Sequence, residues 1–101
     1  MGARSVTVAI LNPAEMAKLN WKFLRHRGPT DVLSFPPGDI AVCPAVARRE
    51  AKERGILWQE ELLRYVVHGC LHLRGYDDKK PAAKKRMWAR QERLVAGLLP
   101  V

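Results

Sequence analysis

The chain has 101 residues, enough for one hydrophobic core and two or three packed layers and too few for a two-domain enzyme. Hydrophobic residues make up 48% and charged residues 28%, which excludes a natively disordered chain. Eighteen Lys and Arg against ten Asp and Glu give a formal charge of +8, so a polyanion such as RNA, DNA or an anionic surface is the expected partner class.

The opening residues, Met1 to Leu11, are too short an apolar stretch for a secretory leader, and Val6 stands where a myristoylation signal needs Ser or Thr. Within them, Val6 to Ile10 is rich in β-branched residues and predicts a strand. Asn12-Pro13 closes it and supplies an N-cap and a first helical position. Met16, Leu19 and Phe23 then recur at i, i+3 and i+7, predicting an amphipathic helix from Pro13 to about Leu24. After Gly28-Pro29, Thr30 to Phe35 reads as a second strand and Asp39 to Cys43 as a third. Only Pro36, Pro37 and Gly38 separate them, which suits a tight antiparallel connection. Helices follow over Pro44 to about Arg54, stopped by Gly55, over Trp58 to Leu73, and over about Pro81 to Leu98. The middle one is expected to be central and buried, with Glu60 or Glu61, Arg64, His68 and His72 along one polar line. In the last, Met87, Trp88, Leu94 and Val95 are expected inside and Lys84, Lys85, Arg86, Arg90 and Arg93 outside. The expected architecture is a single α/β (α+β) domain over residues 1–101, a small mixed sheet packed with helices. No apolar run approaches the roughly 18 residues of a membrane span. Two cysteines without a CxxC pair suit a reducing cytoplasm.

The chemistry concentrates between His68 and Asp78. Histidines four apart on a helix stack one turn above each other and can share a cation. Gly75 ends the helix, and a returning chain brings Asp78 toward the same ion, giving H-x3-H-x5-D. Two nitrogens and one oxygen leave a fourth position open, as in catalytic rather than structural zinc sites. The pair equally suits two buried imidazoles hydrogen-bonded to backbone or carboxylates, or His68 as a lone general base. The coincidence of helix, stop glycine and third oxygen ligand favours a metal. Zinc peptidases with H-E-x-x-H carry a glutamate general base where this chain has Gly69, which argues against peptide hydrolysis. Arg64, Arg74 and Lys79 are the cations best placed by sequence to meet a phosphate. Asp31 and Asp39 read as strand-end caps, Trp21, Trp58 and Trp88 as core, and Cys70 as packing. Seven Lys and Arg from Lys79 to Arg93 against Glu92 alone form a basic face suited to RNA.

The run His68-Gly69-Cys70-Leu71-His72-Leu73-Arg74-Gly75-Tyr76-Asp77-Asp78 resembles the H-G-x-L-H-L-x-G-Y-D-H signature of the YbeY-type metal-dependent endoribonucleases, bacterial ribosomal RNA maturation factors. Pro29-Thr30-Asp31-Val32-Leu33-Ser34-Phe35-Pro36, Gly38-Asp39-Ile40, Leu19-Asn20 and Met87 with Glu92 resemble four further blocks of that family, in the same order. The resemblance implies a zinc-dependent, single-strand-specific endoribonuclease acting on ribosomal RNA with the ribosome or its small subunit as partner, in the cytoplasm, with no membrane and no DNA partner. It implies His68, His72 and Asp78 as metal ligands, with a water on the ion as nucleophile. Asp78 stands where the family usually has histidine. The family's active-site arginine would fall at Leu24, and the nearest arginine is Arg25. Family members usually carry a further N-terminal strand-helix segment and a longer loop before G-D-I. The alternatives are a non-catalytic RNA- or ribosome-binding module with a structural metal, and a zinc metallohydrolase of another substrate class.

Overall fold

The computed structural model describes residues 5–99; Met1 to Arg4, part of the stretch read for targeting signals, and the last two residues of the expected domain lie outside them. The elements are β1 (Thr7–Ile10), α1 (Pro13–Leu24), β2 (Val32–Phe35), β3 (Asp39–Val42), α2 (Pro44–Arg54), α3 (Trp58–Leu73) and α4 (Pro81–Leu98). All four helices have the predicted bounds. The strands are one or two residues shorter than the β-branched runs suggest: Val6, Thr30 and Asp31 stay outside, and Cys43 becomes the N-cap of α2.

The three strands form one mixed sheet in the order β1-β3-β2. β3 pairs antiparallel with β2, Leu33 opposite Ala41, across the three-residue turn at Pro36, Pro37 and Gly38, whose Pro36–Pro37 bond is cis. β1 lies parallel to β3 on the other side, Val8 opposite Ile40. The central strand is buried on both faces, so Ile40, Ala41 and Val42 read as a continuous apolar run without alternation.

Both faces of the sheet are covered by helices. Leu33 and Ala41 pack with Met16 of α1, Cys43 and Val46, while Ile40 and Val42 pack with Ala47 of α2 and Tyr65 of α3. A third layer forms where Val67 and Leu71 of α3 meet Met87 and Val95 of α4. Helix α1 is closed at its start by a reciprocal capping box: Asn12 Oδ1 accepts from the Glu15 amide at 2.8 Å, and Glu15 Oε1 from the Asn12 amide at 2.9 Å. At its other end the buried Asn20 donates Nδ2–H to the Gly28 carbonyl at 2.9 Å and fastens the loop that leads into β2.

The packing corrects several expectations. Phe23, assigned to the buried stripe of α1, is 53% exposed, because Met16 and Asn20 define the covered side of the helix. Trp21 and Trp88 are likewise exposed rather than core. Trp21 lies beside the guanidinium groups of Arg25 and Arg27, and the half-buried Trp58 lies under that of Arg48. Trp21 and Trp58 thus each have a cation beside the ring.

Candidate metal centre

Helix α3 is positioned by close contact with the sheet. Gly69 sits against Ile40 of β3 so tightly that an added Cβ would lie 2.9 Å from Ile40 Cγ2. Glycine inside a helix costs about 1 kcal/mol relative to alanine, and here it allows an approach that no other residue permits. Ser34 of β2 donates its hydroxyl to the Gly69 carbonyl at 3.2 Å, a second tie at the same turn. The flanking residue, His68, is thereby fixed relative to the sheet.

His68 and His72 stand one turn apart with Nε2 atoms 3.1 Å from each other. Helix α3 ends at Leu73, Gly75 takes φ +96°, and the chain turns back. The turn is closed by Asp77, whose Oδ1 accepts from the Lys79 amide at 2.8 Å. Asp78 Oδ2 arrives 3.4 Å from His72 Nε2 and 3.8 Å from His68 Nε2. One donor atom from each of the three residues lies within 4.8 Å of the others. These separations bracket the edge of about 3.3 Å expected for a tetrahedron with metal–ligand bonds near 2.0–2.1 Å, so the donor set fits a small divalent ion. The second nitrogen of each ring is also engaged: His72 Nδ1 is 3.1 Å from the Tyr76 carbonyl, and His68 Nδ1 is 2.7 Å from Gln91 Oε1. Ligating imidazoles are normally oriented in this way.

The three residues open into a cleft of about 610 Å³ bounded by the end of α1 (Phe23, Leu24), β2 and Lys79. Phe23 and Phe35 meet edge to face at a centroid distance of 5.0 Å on its wall. Asp31 caps β2 as expected, its Oδ1 accepting from the Val32 amide at 2.7 Å, and also borders the cleft.

The cations foreseen for phosphate contact part company. Lys79 lines the cleft. Arg74 caps α3 and faces a neighbouring cavity with Tyr76, Asp77 and Arg86. Arg64 is not a surface cation at all: it is 8% exposed and enclosed by carboxylates. Its Nε and Nη2 donate to Glu92 at 2.8 and 2.9 Å, Nη1 to Glu61 at 3.0 Å and Nη2 to Glu60 at 3.1 Å. Those bonds, Glu92 foremost, raise its pKa further and hold the Glu92 carboxyl below its usual range. With four of its five N–H groups committed to three carboxylates, this guanidinium serves the ion-pair cluster, which speaks against the substrate-binding assignment of Arg64. Arg25, the expected catalytic arginine, takes the left-handed conformation that ends α1, φ 57°, and its guanidinium lies 5.6 Å from the Trp21 ring centroid, while Leu24 borders the cleft. Cys70 is half-buried among apolar neighbours, which push its thiol pKa up, as befits packing rather than nucleophilic attack.

Gln91 escaped notice in the sequence. It is 2% exposed and lies on the same buried stripe of α4 as Met87 and Val95. A glutamine amid apolar residues at i−4 and i+4 is the signal that marks it, since a buried amide needs partners.

A mixed sheet backed by a central helix, with two imidazoles and a turn carboxylate converging in an open cleft, defines an α+β protein with a candidate divalent-metal centre. The chain belongs to the family described as Endoribonuclease YbeY, whose profile matches residues 2–98. It is similar to Endoribonuclease YbeY of Frankia casuarinae, with 35% identity over 90% of this chain and 55% of that protein. Against Endoribonuclease YbeY of Thermobifida fusca the identity is 35%, over 91% of this chain and 70% of the relative. The solution structure of TM1509 from Thermotoga maritima is similar in fold, with a TM-score of 0.68 and 37% identity, covering 89% of this chain and 65% of that one. The chain thus spans between about half and about two thirds of the length of these relatives. Among the described residues no helix is long and apolar enough to cross a membrane.

Proposed function

We propose that the chain is a zinc-dependent endoribonuclease that cleaves single-stranded RNA during ribosomal RNA maturation. In this reading His68 Nε2, His72 Nε2 and a carboxylate oxygen of Asp78 hold the ion. The observation that carries it is the convergence of three donor atoms within 4.8 Å at an open cleft. When bound, zinc supplies a Lewis acid that polarises a phosphoryl oxygen and acidifies water.

The chain's own residues supply the rest. Lys79 offers an ammonium group to a phosphate in the cleft, and Phe23 with Phe35 offers an aromatic edge and face to an unstacked base. Only an unpaired nucleotide presents a free base face and its phosphate to one cleft, which favours single strands. The exposed Lys84, Lys85, Arg86, Arg90 and Arg93 of α4, together with Arg74, extend a positive surface for neighbouring phosphates. The relatives' name, endoribonuclease, supports RNA as substrate. The contact of Gly69 with Ile40 leaves no room for a peptidase-type glutamate beside His68. The same reading has residues 1–101 act as one domain, with the ribosome or its small subunit as partner, in the cytoplasm.

The test combines elemental analysis with cleavage of a single-stranded RNA on one preparation. The parent is expected to hold about one zinc per chain and to cleave. His68→Ala with His72→Ala should lose both metal and cleavage while still binding RNA, and Lys84, Lys85 and Arg86→Gln should reduce the salt slope of binding by about 2. Metal retained in the double histidine variant overturns the site. RNA that the zinc-loaded parent binds but never cleaves leaves the binding-module reading in its place.

A further inference from the structure

We propose that Gln91 is a positioning residue that sets the tautomer of His68, and that Arg64 and Glu92 fix the orientation in which it does so. The inference rests on the metal reading of His68 only for its purpose; its geometry stands independently of any ion.

The chain of contacts runs from a group that only donates to one whose lone pair matters. Arg64 donates two hydrogen bonds to Glu92, through Nε to Oε2 at 2.8 Å and Nη2 to Oε1 at 2.9 Å, and holds that carboxylate ionised and oriented. An ionised carboxylate only accepts, so the group facing Glu92 Oε2 at 3.0 Å must be the NH₂ of Gln91. The amide oxygen is therefore turned to His68, 2.7 Å from Nδ1. That oxygen in turn only accepts, so Nδ1 carries the proton and the lone pair of the neutral ring lies on Nε2. Nε2 is the atom that faces His72 and Asp78.

The Tyr76 carbonyl imposes the same tautomer on His72 through Nδ1 at 3.1 Å. The two rings are thus set alike by different means, one by backbone in its own turn, the other by a buried side chain from α4. Gln91 is 2% exposed, its amide held between His68 and Glu92. This use also explains why an ion-pair cluster and a metal-type cleft adjoin on one helix: the cluster anchors the amide that orients the first histidine.

The experiment reads the tautomer directly, by long-range nitrogen–proton NMR of ¹⁵N-labelled, metal-free protein at mildly alkaline pH, and zinc affinity separately, by competition with a chelator. The parent is expected to show the Nδ1–H form of His68. Gln91→Leu should admit the Nε2–H form and weaken zinc binding by about 10–100-fold. Gln91→Glu combined with Glu92→Gln keeps an acceptor facing His68 and a donor facing that acceptor, and should restore the Nδ1–H form and most of the affinity. Glu92→Ala frees the amide to rotate, and should give mixed tautomers and a smaller loss of affinity than Gln91→Leu. A parent with Nε2–H at His68 overturns the proposal, as does Gln91→Leu with parental tautomer and affinity. Should Gln91→Leu fail to fold, the parent spectrum and Glu92→Ala decide. A parent with the Nδ1–H form that takes up no zinc supports the relay and defeats the metal reading, whereas zinc bound with the other tautomer does the reverse.

Discussion

At the start of α3, Glu61 and Arg64 lie 3% and 8% exposed beneath α4 and beside α2, tied into a cluster with Arg54, Glu60 and Glu92. One and two turns further along the same stripe, the His68 and His72 side chains are each 30% exposed and face an open cleft. Helical spacing treats the two halves alike, as polar residues at i, i+3 or i+4. What separates them is cover: in the early half Arg64 and Glu61 are buried and carboxylates take four of the five Arg64 N–H groups, and the later half has donor atoms with space around them. Burial converts charge into architecture, and openness keeps it available for chemistry.

The largest effect expected from this contrast is on stability. Arg64→Met leaves the buried Glu61 and the neighbouring Glu92 short of their shared partner and should cost about 3–5 kcal/mol in urea unfolding, with RNA affinity unchanged. Normal stability with weakened RNA binding would return Arg64 to the substrate surface and dissolve the distinction. Next in size is Gly69→Ala. The new methyl meets Ile40 at 2.9 Å, so helix or sheet must shift, at a cost of roughly 1–3 kcal/mol. Zinc affinity should fall along with stability, because His68 moves with the helix. A variant as stable as the parent would show that the site does not depend on that contact.

The smallest effect concerns pH. The Arg64 hydrogen bond lowers the folded-state pKa of Glu92 below 4.5, so the stability it contributes is complete above the ordinary carboxylate value and is lost as pH falls through the folded one. The acid limb of the unfolding curve should therefore be shallower in Glu92→Gln than in the parent, with zinc absent from both. Identical limbs would mean that Glu92 titrates as it does in the unfolded chain.

Local signals were sufficient for all four helices, because Asn12-Pro13, Gly55 and the apolar spacing of α3 act over a few residues. The candidate ligands were legible for the same reason: His68 and His72 share one helix, and Asp78 follows a short turn opened by Gly75. Tertiary structure alone decided which charges are spent inside. Arg64 meets Glu92 across 28 residues and His68 meets Gln91 across 23, separations over which sequence spacing carries no geometry. The exposure of Phe23, Trp21 and Trp88 was decided there too, since an aromatic residue at helical spacing is buried only if another element arrives to cover it. The parallel placement of β1 beside β3 depends likewise on α1 carrying the chain from the β1 edge of the sheet to the β2 edge, past the place that β3 then fills. Periodicity and turn chemistry are properties of neighbours in the chain; cover, pairing and tautomer are properties of neighbours in space.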